Sequence, residues 1–338
     1  MLMDGASTVI RGTGSYAPSR VLRNEDLARI VDTTDEWIVT RTGIRERRIA
    51  AEGEATSDMA VPAARAAMEM AGLGPEEIDA VIVCTLTPDM LFPSTACLVQ
   101  SLLGLRRGIP AFDVDAACSG FVYGLESARG LLAANPKYRN VLLVGAEKLS
   151  AILDWTDRST CVLFGDGAGA VVLTRGEGGP GGRILATDLG SDGVNSGLIH
   201  MPAGGSRAPA SPHSLEGRQH FLKMNGREVF KLAVRAMVAS AERVLAEAGV
   251  SSGDLVGIIP HQANIRIIES VAQYLDLPLT LFPNNVHLYG NTSAASVPLA
   301  LDEAVRAGTL SRPGPLLLIA FGAGLTWGST LLHWEPLS

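Results

Sequence analysis

AARAAMEMAGLGPEEIDAVIVCT (63–85) and SAERVLAEAGVSSGDLVGIIPHQ (240–262) read alike. Each gives an amphipathic helix, an Ala-Gly turn, an acidic spacer carrying Glu77 or Asp254, and a short apolar run of strand length. A second pair, VLLVGAE (141–147) and LLLIAFG (316–322), holds matching places, each followed by a Gly-rich turn and another strand. Short β-branched runs alternating with helices predict an α/β protein with buried strands, and the two pairs predict a duplicated chain. Between the copies lies RGEGGPGGR (175–183), whose glycines and Pro180 sustain neither a helix nor a central strand, so the expected halves are 1–175 and 176–338. The irregular stretch 190–220 is longer than an ordinary connection and reads as a functional loop or a surface excursion.

The chain has 338 residues, which at roughly 150 residues per unit is two units. Its 28 Lys and Arg against 35 Asp and Glu leave a net charge of −7, which argues against a general nucleic-acid binder while allowing a local basic patch. Hydrophobic residues make up 47% and charged residues 19%, the balance of a packed globular protein rather than a disordered one. The start, MLMDGASTVI, carries Asp4 and no basic-then-apolar leader, and the longest apolar runs, AVIVC (80–84) and PLLLIAFGAGL (315–325), fall short of the ~20 residues of a membrane helix. A cytoplasmic protein without a membrane span is therefore expected. Cys84, Cys97, Cys118 and Cys161 are widely spaced, with no CxxC pair and no nearby His, so no metal site is expected.

AFDVDAACSGFVYGLESARGLLAAN (111–135) places Cys118 at a strand-to-helix turn among small residues. There the positive end of a helix favours a thiolate, which would make Cys118 a nucleophile; an inert core thiol is the competing explanation. His261 ends the strand GIIP and is expected to open the helix HQANIRIIESVAQYL, where the dipole would hold its imidazole neutral; a purely structural cap is the alternative. Asn291, in YGNTSAASVPLALDEAV, precedes another Ala-rich helix and by itself reads as a cap. FGDGAGAVVL (164–173) imitates a phosphate-cradling loop but leads into a strand, so no dinucleotide site follows. In FGAGLTWGSTLL (321–332), Gly322, Ala323 and Gly324 could bring N–H groups to a carbonyl oxygen, or could serve turn packing alone. Arg227, Lys231 and Arg235 recur every four residues, and Arg266 adds another cation; they are a solvated face or a dock for a phosphate or an acidic partner. DEWIVTRTGIRERR (35–48) sets Trp37 among Arg41, Arg45, Arg47 and Arg48, a grouping suited to a nucleotide.

Taken together, DAACSGF, HQANIRI, YGNTSAAS and FGAGLTWGS stand in the order and spacing of a Cys-His-Asn condensing enzyme. GTGSYAP (12–18), DEWIVTRTGIRERRIA (35–50), FPSTAC (92–97), FGDGAGAVVL and NGREVFKLAV (225–234) extend the likeness. Along nearly its whole length the chain resembles the β-ketoacyl-acyl-carrier-protein synthase III family. The resemblance implies a thiolase-like α/β fold layered αβαβα, with a mixed five-stranded sheet in each half, and a homodimer. It implies that Cys118 is acylated by an acyl-CoA, most simply acetyl-CoA, with the backbone N–H groups of Cys118 and Ala323 as oxyanion donors. His261 and Asn291 would then stabilise the enolate formed as malonyl-acyl-carrier protein loses CO2. By the same likeness, Trp37 and Arg158 would sandwich the CoA adenine, with Arg41 and Thr42 near its phosphates or ring and Asn264 near the pantetheine. Phe92, Phe230 and Phe321 would border the acyl pocket, Phe92 from the partner's side, and Lys231 and Arg266 would meet acyl carrier protein. No cofactor is implied; the CoA thioester and the malonyl carrier are substrates. Ala323 stands where many relatives have Gly, and Arg227 where some have Asn.

Other activities remain open on sequence. Elongating synthases need a second His where this chain has Asn291. A secondary-metabolite relative could condense or merely transfer acyl groups with the same triad. A noncatalytic binding module would never gain an acyl group, and a papain-like hydrolase would use its His as a base and release the acid.

Overall fold

The computed structural model describes residues 7–176 and 178–337; the Asp4 stretch and Glu177 within the Gly-rich connection lie outside them. Nine strands form one hydrogen-bonded sheet: β1 (Thr8–Tyr16), β2 (Ala80–Cys84), β3 (Ala111–Val114), β4 (Asn140–Glu147), β5 (Gly167–Arg175), β6 (Gly181–Ser191), β7 (Gly257–Pro260), β8 (Gly314–Gly322) and β9 (Thr326–Glu335). Their spatial order is β7-β8-β9-β6-β1-β5-β4-β2-β3. Parallel pairing joins β2 to β3 and β4, and β7 to β8, while the remaining neighbours are antiparallel. The helices that matter to the site are α1 (Asp35–Thr42), α2 (Thr56–Ala71), α3 (Thr95–Leu102), α4 (Gly120–Ala134), α5 (Gly226–Ala248), α6 (Ile265–Tyr274) and α7 (Ser296–Arg306).

The repeated sequence folds as repeated structure. Helix α2 ends on Gly72 (φ 67°, ψ 31°) and α5 on Gly249 (φ 64°, ψ 31°), left-handed conformations in which glycine is the residue of least cost. Each is followed by a 3-10 turn, Pro75–Glu77 or Ser252–Asp254, and then by β2 or β7. The strands β4 and β8 each pair antiparallel with the next strand, β5 and β9.

Alternation along the strands creates the layers. On β2, Ala80, Ile82 and Cys84 join a central core with α4 and α7, while Val81 and Val83 join an outer core with α2 and α3. On β8, Leu316, Leu318 and Ala320 join that same central core, while Leu317 and Ile319 face α5 and α6. Every residue of β2 is fully buried, as two covered faces require, and Val81, Ile82 and Val83 each contribute about 1.5–3 kcal/mol of transfer free energy. The two halves of the one sheet thus lie as separate layers, giving helix, half-sheet, helix, half-sheet, helix. Contact between α2 and β1 is so close that a Cβ on Gly12 would stand 2.2 Å from Ala67 O, which explains why this face of the helix is alanine.

One detail differs from the expected five strands per half. The first half supplies β1 to β5, whereas the second supplies β6 to β9. The place where a counterpart of β3 would run holds a 3-10 turn, Leu279–Leu281, followed by Pro283, which has no N–H for a ladder. Among the described residues, the sheet passes from one half to the other through two pairs of β1 and β6, Val9 with Arg183 and Ile10 with Gly182.

Candidate active site

Both halves send the same device toward the centre. After β3 the chain enters a 3-10 turn, Ala117–Ser119, and then α4; in the second half the turn Ser293–Ala295 leads into α7. Ala117 (φ 47°) and Ser293 (φ 50°) are both left-handed, a conformation that costs non-glycine residues about 1–3 kcal/mol and that surrounding contacts must hold. Cys118 lies on the first turn, and Asn291 lies two residues before the second. The end of β7 brings in His261. All three line one cavity of about 600 Å3, together with Ala323.

Each side chain is fixed by its neighbours. Asn291 is buried; its N–H donates to Leu163 O at 2.8 Å, its carbonyl accepts from Gly165 N at 3.0 Å, and its Oδ1 accepts from Ser293 N at 2.8 Å. That leaves Nδ2 as the group available to a ligand. His261 donates its backbone N–H to Ile319 O at 2.8 Å, and its ring Nδ1 lies 2.6 Å from Ser296 Oγ. Ser296 Oγ also accepts from Gln262 N at 3.4 Å, which fixes the hydroxyl beside the imidazole. The hydroxyls of Ser119 and Thr326 lie 2.7 Å apart, and Thr326 donates to Ala116 O or Ala323 O, each at 2.9 Å, tying the Cys118 turn to the β8–β9 turn.

Gly322 lies against the backbone of the Cys118 turn. A Cβ there would stand 2.7 Å from Cys118 N and 2.9 Å from Ser119 N. We therefore expect Gly322→Ala to push the sulfur out of register and slow acylation about 100-fold, as displacements near 1 Å do, with the circular dichroism spectrum unchanged. An unaltered acylation rate in a rapid-mixing assay would show that this contact does not set the geometry. Ala323 is not among the left-handed residues, so its methyl is compatible with the turn.

Two electrostatic expectations change. Burial pushes the Cys118 thiol up to about 12; a Ser293 hydrogen bond pulls the other way, and the charges of Glu147 and Asp115 add to the rise. The resting sulfur is thus a thiol rather than the expected thiolate, because desolvation outweighs the end of α4. His261 is neutral as expected, but not because it opens a helix. Helix α6 begins at Ile265, capped by Asn264, and burial alone lowers the imidazole to about 3. The unfolded chain binds a proton below the ordinary 6.5 that the native site refuses, so this group destabilises the fold as pH falls from 6.5 toward 3. In a histidine NMR titration the His261 ring should remain neutral through pH 5 and above; a midpoint near 6.5 would contradict this.

Of the remaining sequence candidates, Asn264, Phe230 and Phe321 line the cavity, and the others lie outside its lining. Trp37 lies under two cations, with Arg41 Cζ 4.5 Å and Arg158 Cζ 4.8 Å from its ring centroid. Arg158 also donates to Asp32 O at 2.6 Å, so a base entering between Trp37 and Arg158 must displace the guanidinium. Thr42 is buried, its hydroxyl donating to Ile38 O at 2.7 Å and accepting from Ile44 N at 3.0 Å, which commits it to the end of α1. Asn264 lines the cavity, but its Nδ2 already donates to Arg41 O at 3.0 Å and its Oδ1 caps α6 at Arg266 N, 2.9 Å away. Phe230 and Phe321 line the cavity; Phe92 does not, and is 84% exposed on the outside of this chain. Lys231 is exposed and paired with Glu228 at 3.0 Å, while exposed Arg266 lies over Phe230, with 5.7 Å from Cζ to the centroid.

The 190–220 stretch is a wall of the cavity, contributed by Ile199, His200 and Met201 and anchored where Arg218 Nε donates to Asp154 at 2.8 Å. Sequence reasoning did not single out Glu147 or Ser293. The signal available for Glu147 was an acid closing the otherwise apolar run VLLVGAE. No cluster of His, Cys, Asp and Glu among the described residues could hold a metal ion.

Comparison with known proteins completes the picture. A family model described as 3-oxoacyl-[acyl-carrier-protein (ACP)] synthase III matches residues 112–193, and its C-terminal model matches 245–334. A β-ketoacyl-[acyl-carrier-protein] synthase III from Caldanaerobacter subterraneus subsp. tengcongensis is 52% identical over 326 residues, covering 96% of this chain and 97% of its own. The crystal structure of 3-oxoacyl-[acyl-carrier-protein] synthase III from Aquifex aeolicus VF5 superposes with a TM-score of 0.88 at 50% identity, covering 97% of this chain and all of that one. The corresponding structure from Pseudomonas aeruginosa PAO1 gives 0.90 at 44% identity, covering 98% and 99%.

Proposed function

The chain belongs to the 3-oxoacyl-[acyl-carrier-protein] synthase III family, and on that premise we propose that it joins an acyl-CoA starter to malonyl-acyl-carrier protein, releasing CoA and CO2 and initiating fatty-acid synthesis. The observation that carries the reading is the single cavity shared by Cys118, His261 and Asn291. Cys118 attacks the thioester carbon; the oxyanion is held by the N–H groups of Cys118 and Ala323, and the thiol proton ends on the departing CoA sulfur. Malonyl-carrier protein then binds. The Nε2–H of His261 and Nδ2–H of Asn291 donate to its thioester oxygen while the C–C bond to the carboxylate breaks. Two uncharged donors suit a step in which CO2 loss, not proton removal, generates the carbanion. The carbanion then attacks the acyl-cysteine carbonyl carbon, forming the C–C bond and breaking the C–S bond to expel the Cys118 thiolate, which takes up a proton from solvent.

On this reading Trp37, Arg41 and Arg158 receive the adenine end of CoA, and the pantetheine arm passes Asn264. Lys231 and Arg266 receive the acidic carrier protein. The chain is read as two halves, 1–175 and 176–338, without a cofactor, acting in the cytoplasm as a homodimer. No helix among the described residues is long and apolar enough to cross a membrane. What supports the dimer is β3, half-buried at an open edge of the sheet, together with Met90, Leu91 and Phe92, which are 46%, 84% and 84% exposed. Phe92 then serves the acyl pocket of the second copy. Acetyl-CoA is our choice of starter. Product analysis with acetyl-, isobutyryl- and longer acyl-CoA plus malonyl-carrier protein should give 3-oxoacyl-carrier protein and CO2 fastest from acetyl-CoA. Acyl transfer or free acid without CO2 would point to a transferase or hydrolase instead.

A further inference from the structure

Arg47, grouped in the sequence with Trp37 and the cations suited to a nucleotide, has its side chain wholly buried. It sits in the strand Glu46–Ile49, which pairs with Arg20–Arg23. Its Nη1 donates to Leu22 O at 3.1 Å and to Asn24 Oδ1 at 2.8 Å, and its Nη2 donates to Val162 O at 2.7 Å. All three acceptors are uncharged. Burial lowers the guanidinium to about 10, with Glu46 and Asp35 among the groups opposing the fall, so it remains a cation at neutral pH. A buried charge that faces neutral oxygens is costlier to the fold than a well-packed apolar side chain of similar volume. What the guanidinium provides in exchange is a rigid planar fork that holds separate oxygens at fixed spacing.

The segment held by that fork is the one against which Asn291 lies. Leu163, next to Val162, accepts from Asn291 N, and Gly165 N donates to Asn291 O, so 163–165 clamps the Asn291 backbone on both sides. Phe164, between them, forms a parallel bridge with Asn291. The aliphatic stem of Arg47 closes on the same place. A Cβ on Gly165 would stand 3.0 Å from Arg47 Cβ, and one on Gly290 would stand 3.4 Å from Arg47 Cβ and 2.7 Å from Leu163 O. The next residue of FGDGAGAVVL, Asp166, donates its N–H to Arg48 O at 2.8 Å. The start of that motif is therefore a backbone clamp for Asn291, fastened to the strand that carries Arg47.

We propose that Arg47 is a positioning residue for Asn291: its fork fixes Val162, its stem backs Gly165 and Gly290, and together they hold the Asn291 amide in register with the enolate oxygen. Arg47 itself lies outside the cavity lining, so it acts through the clamp rather than on a substrate.

The inference rests on Asn291 stabilising the enolate, a premise that fails separately if Asn291→Asp leaves CO2 release untouched. For Arg47 the two half-reactions are measured apart: acetyl uptake by Cys118 from acetyl-CoA, and CO2 release from malonyl-carrier protein with kcat and KM resolved. Arg47→Met keeps an apolar stem of similar reach and has no side-chain donor. It should lower kcat for CO2 release about 100-fold, the effect of a displacement near 1 Å, while KM for malonyl-carrier protein and the acetylation rate each stay within about threefold. Arg47→Lys keeps the charge but lacks the planar fork, and should recover part of the loss, standing about tenfold below the unaltered protein in CO2 release. Equal losses in both half-reactions, a change in KM alone, or no loss in either overturns the proposal. If Arg47→Met fails to fold, Arg47→Lys decides. A tenfold drop confined to CO2 release supports the proposal, and rates that are unchanged or depressed alike in both steps count against it.

Discussion

Cys118→Ala should abolish covalent acetylation and lower condensation by at least about 1,000-fold, while CoA binding and CO2 release from malonyl-carrier protein persist. The asymmetry follows from the geometry. The methyl group leaves the cavity, the Trp37 rim and the His261–Asn291 pair in place, and only the atom that forms the acyl bond is gone. Intact mass after exposure to acetyl-CoA, CoA calorimetry and trapped CO2 separate the three readouts. Acetyl mass retained by the variant would move the nucleophile elsewhere. Cys97 is then the residue to examine, since Cys84 and Cys161 are buried.

Asn291→Asp should do the converse. The carboxylate keeps an oxygen for Ser293 N–H, so the turn survives, but the group facing the cavity changes from a donor to an anion. Removing one donor to a developing oxyanion costs about 10²–10³ in rate, or ~2.7–4 kcal/mol, and the added charge opposes the enolate further. CO2 release and condensation should therefore fall by at least about 100-fold, while acetyl transfer from acetyl-CoA to Cys118 proceeds near the wild-type rate. Loss of both half-reactions together would mean that Asn291 organises the whole site rather than the second step.

These opposite losses depend on features of unequal visibility in the chain. The helix–turn–strand units ending at Cys84 and Pro260 were legible because their signals are local: periodic apolar residues, Gly72 and Gly249 at the turns, and unbroken aliphatic strands. Cys118 was legible as a residue at a turn because small neighbours and a following amphipathic helix mark one. Its protonation state was not. The end of a helix can be read from a few residues, but desolvation depends on everything packed around the sulfur, including Ser293 from the other half of the chain. His261 was assigned to the start of a helix because HQANIRI runs straight into an apolar stripe. Asn264, the actual cap, was read for its likeness to a ligand contact instead. Pro283 could have warned that the second sheet is one strand short. Glu147 escaped because its partners lie on 85–87 and at 293, and no spacing rule links them to it.

The most direct test of a Cys118 nucleophile sharing one cavity with His261 and Asn291 is a single chase experiment followed by intact mass. The protein is loaded with acetyl-CoA, freed of excess, and then given malonyl-carrier protein. One acetyl group per chain, located on Cys118 and discharged into 3-oxoacyl-carrier protein with loss of CO2, is the expected result. A chain that takes up no acetyl group, or one that sheds it as acetate without forming a carbon–carbon bond, would contradict it.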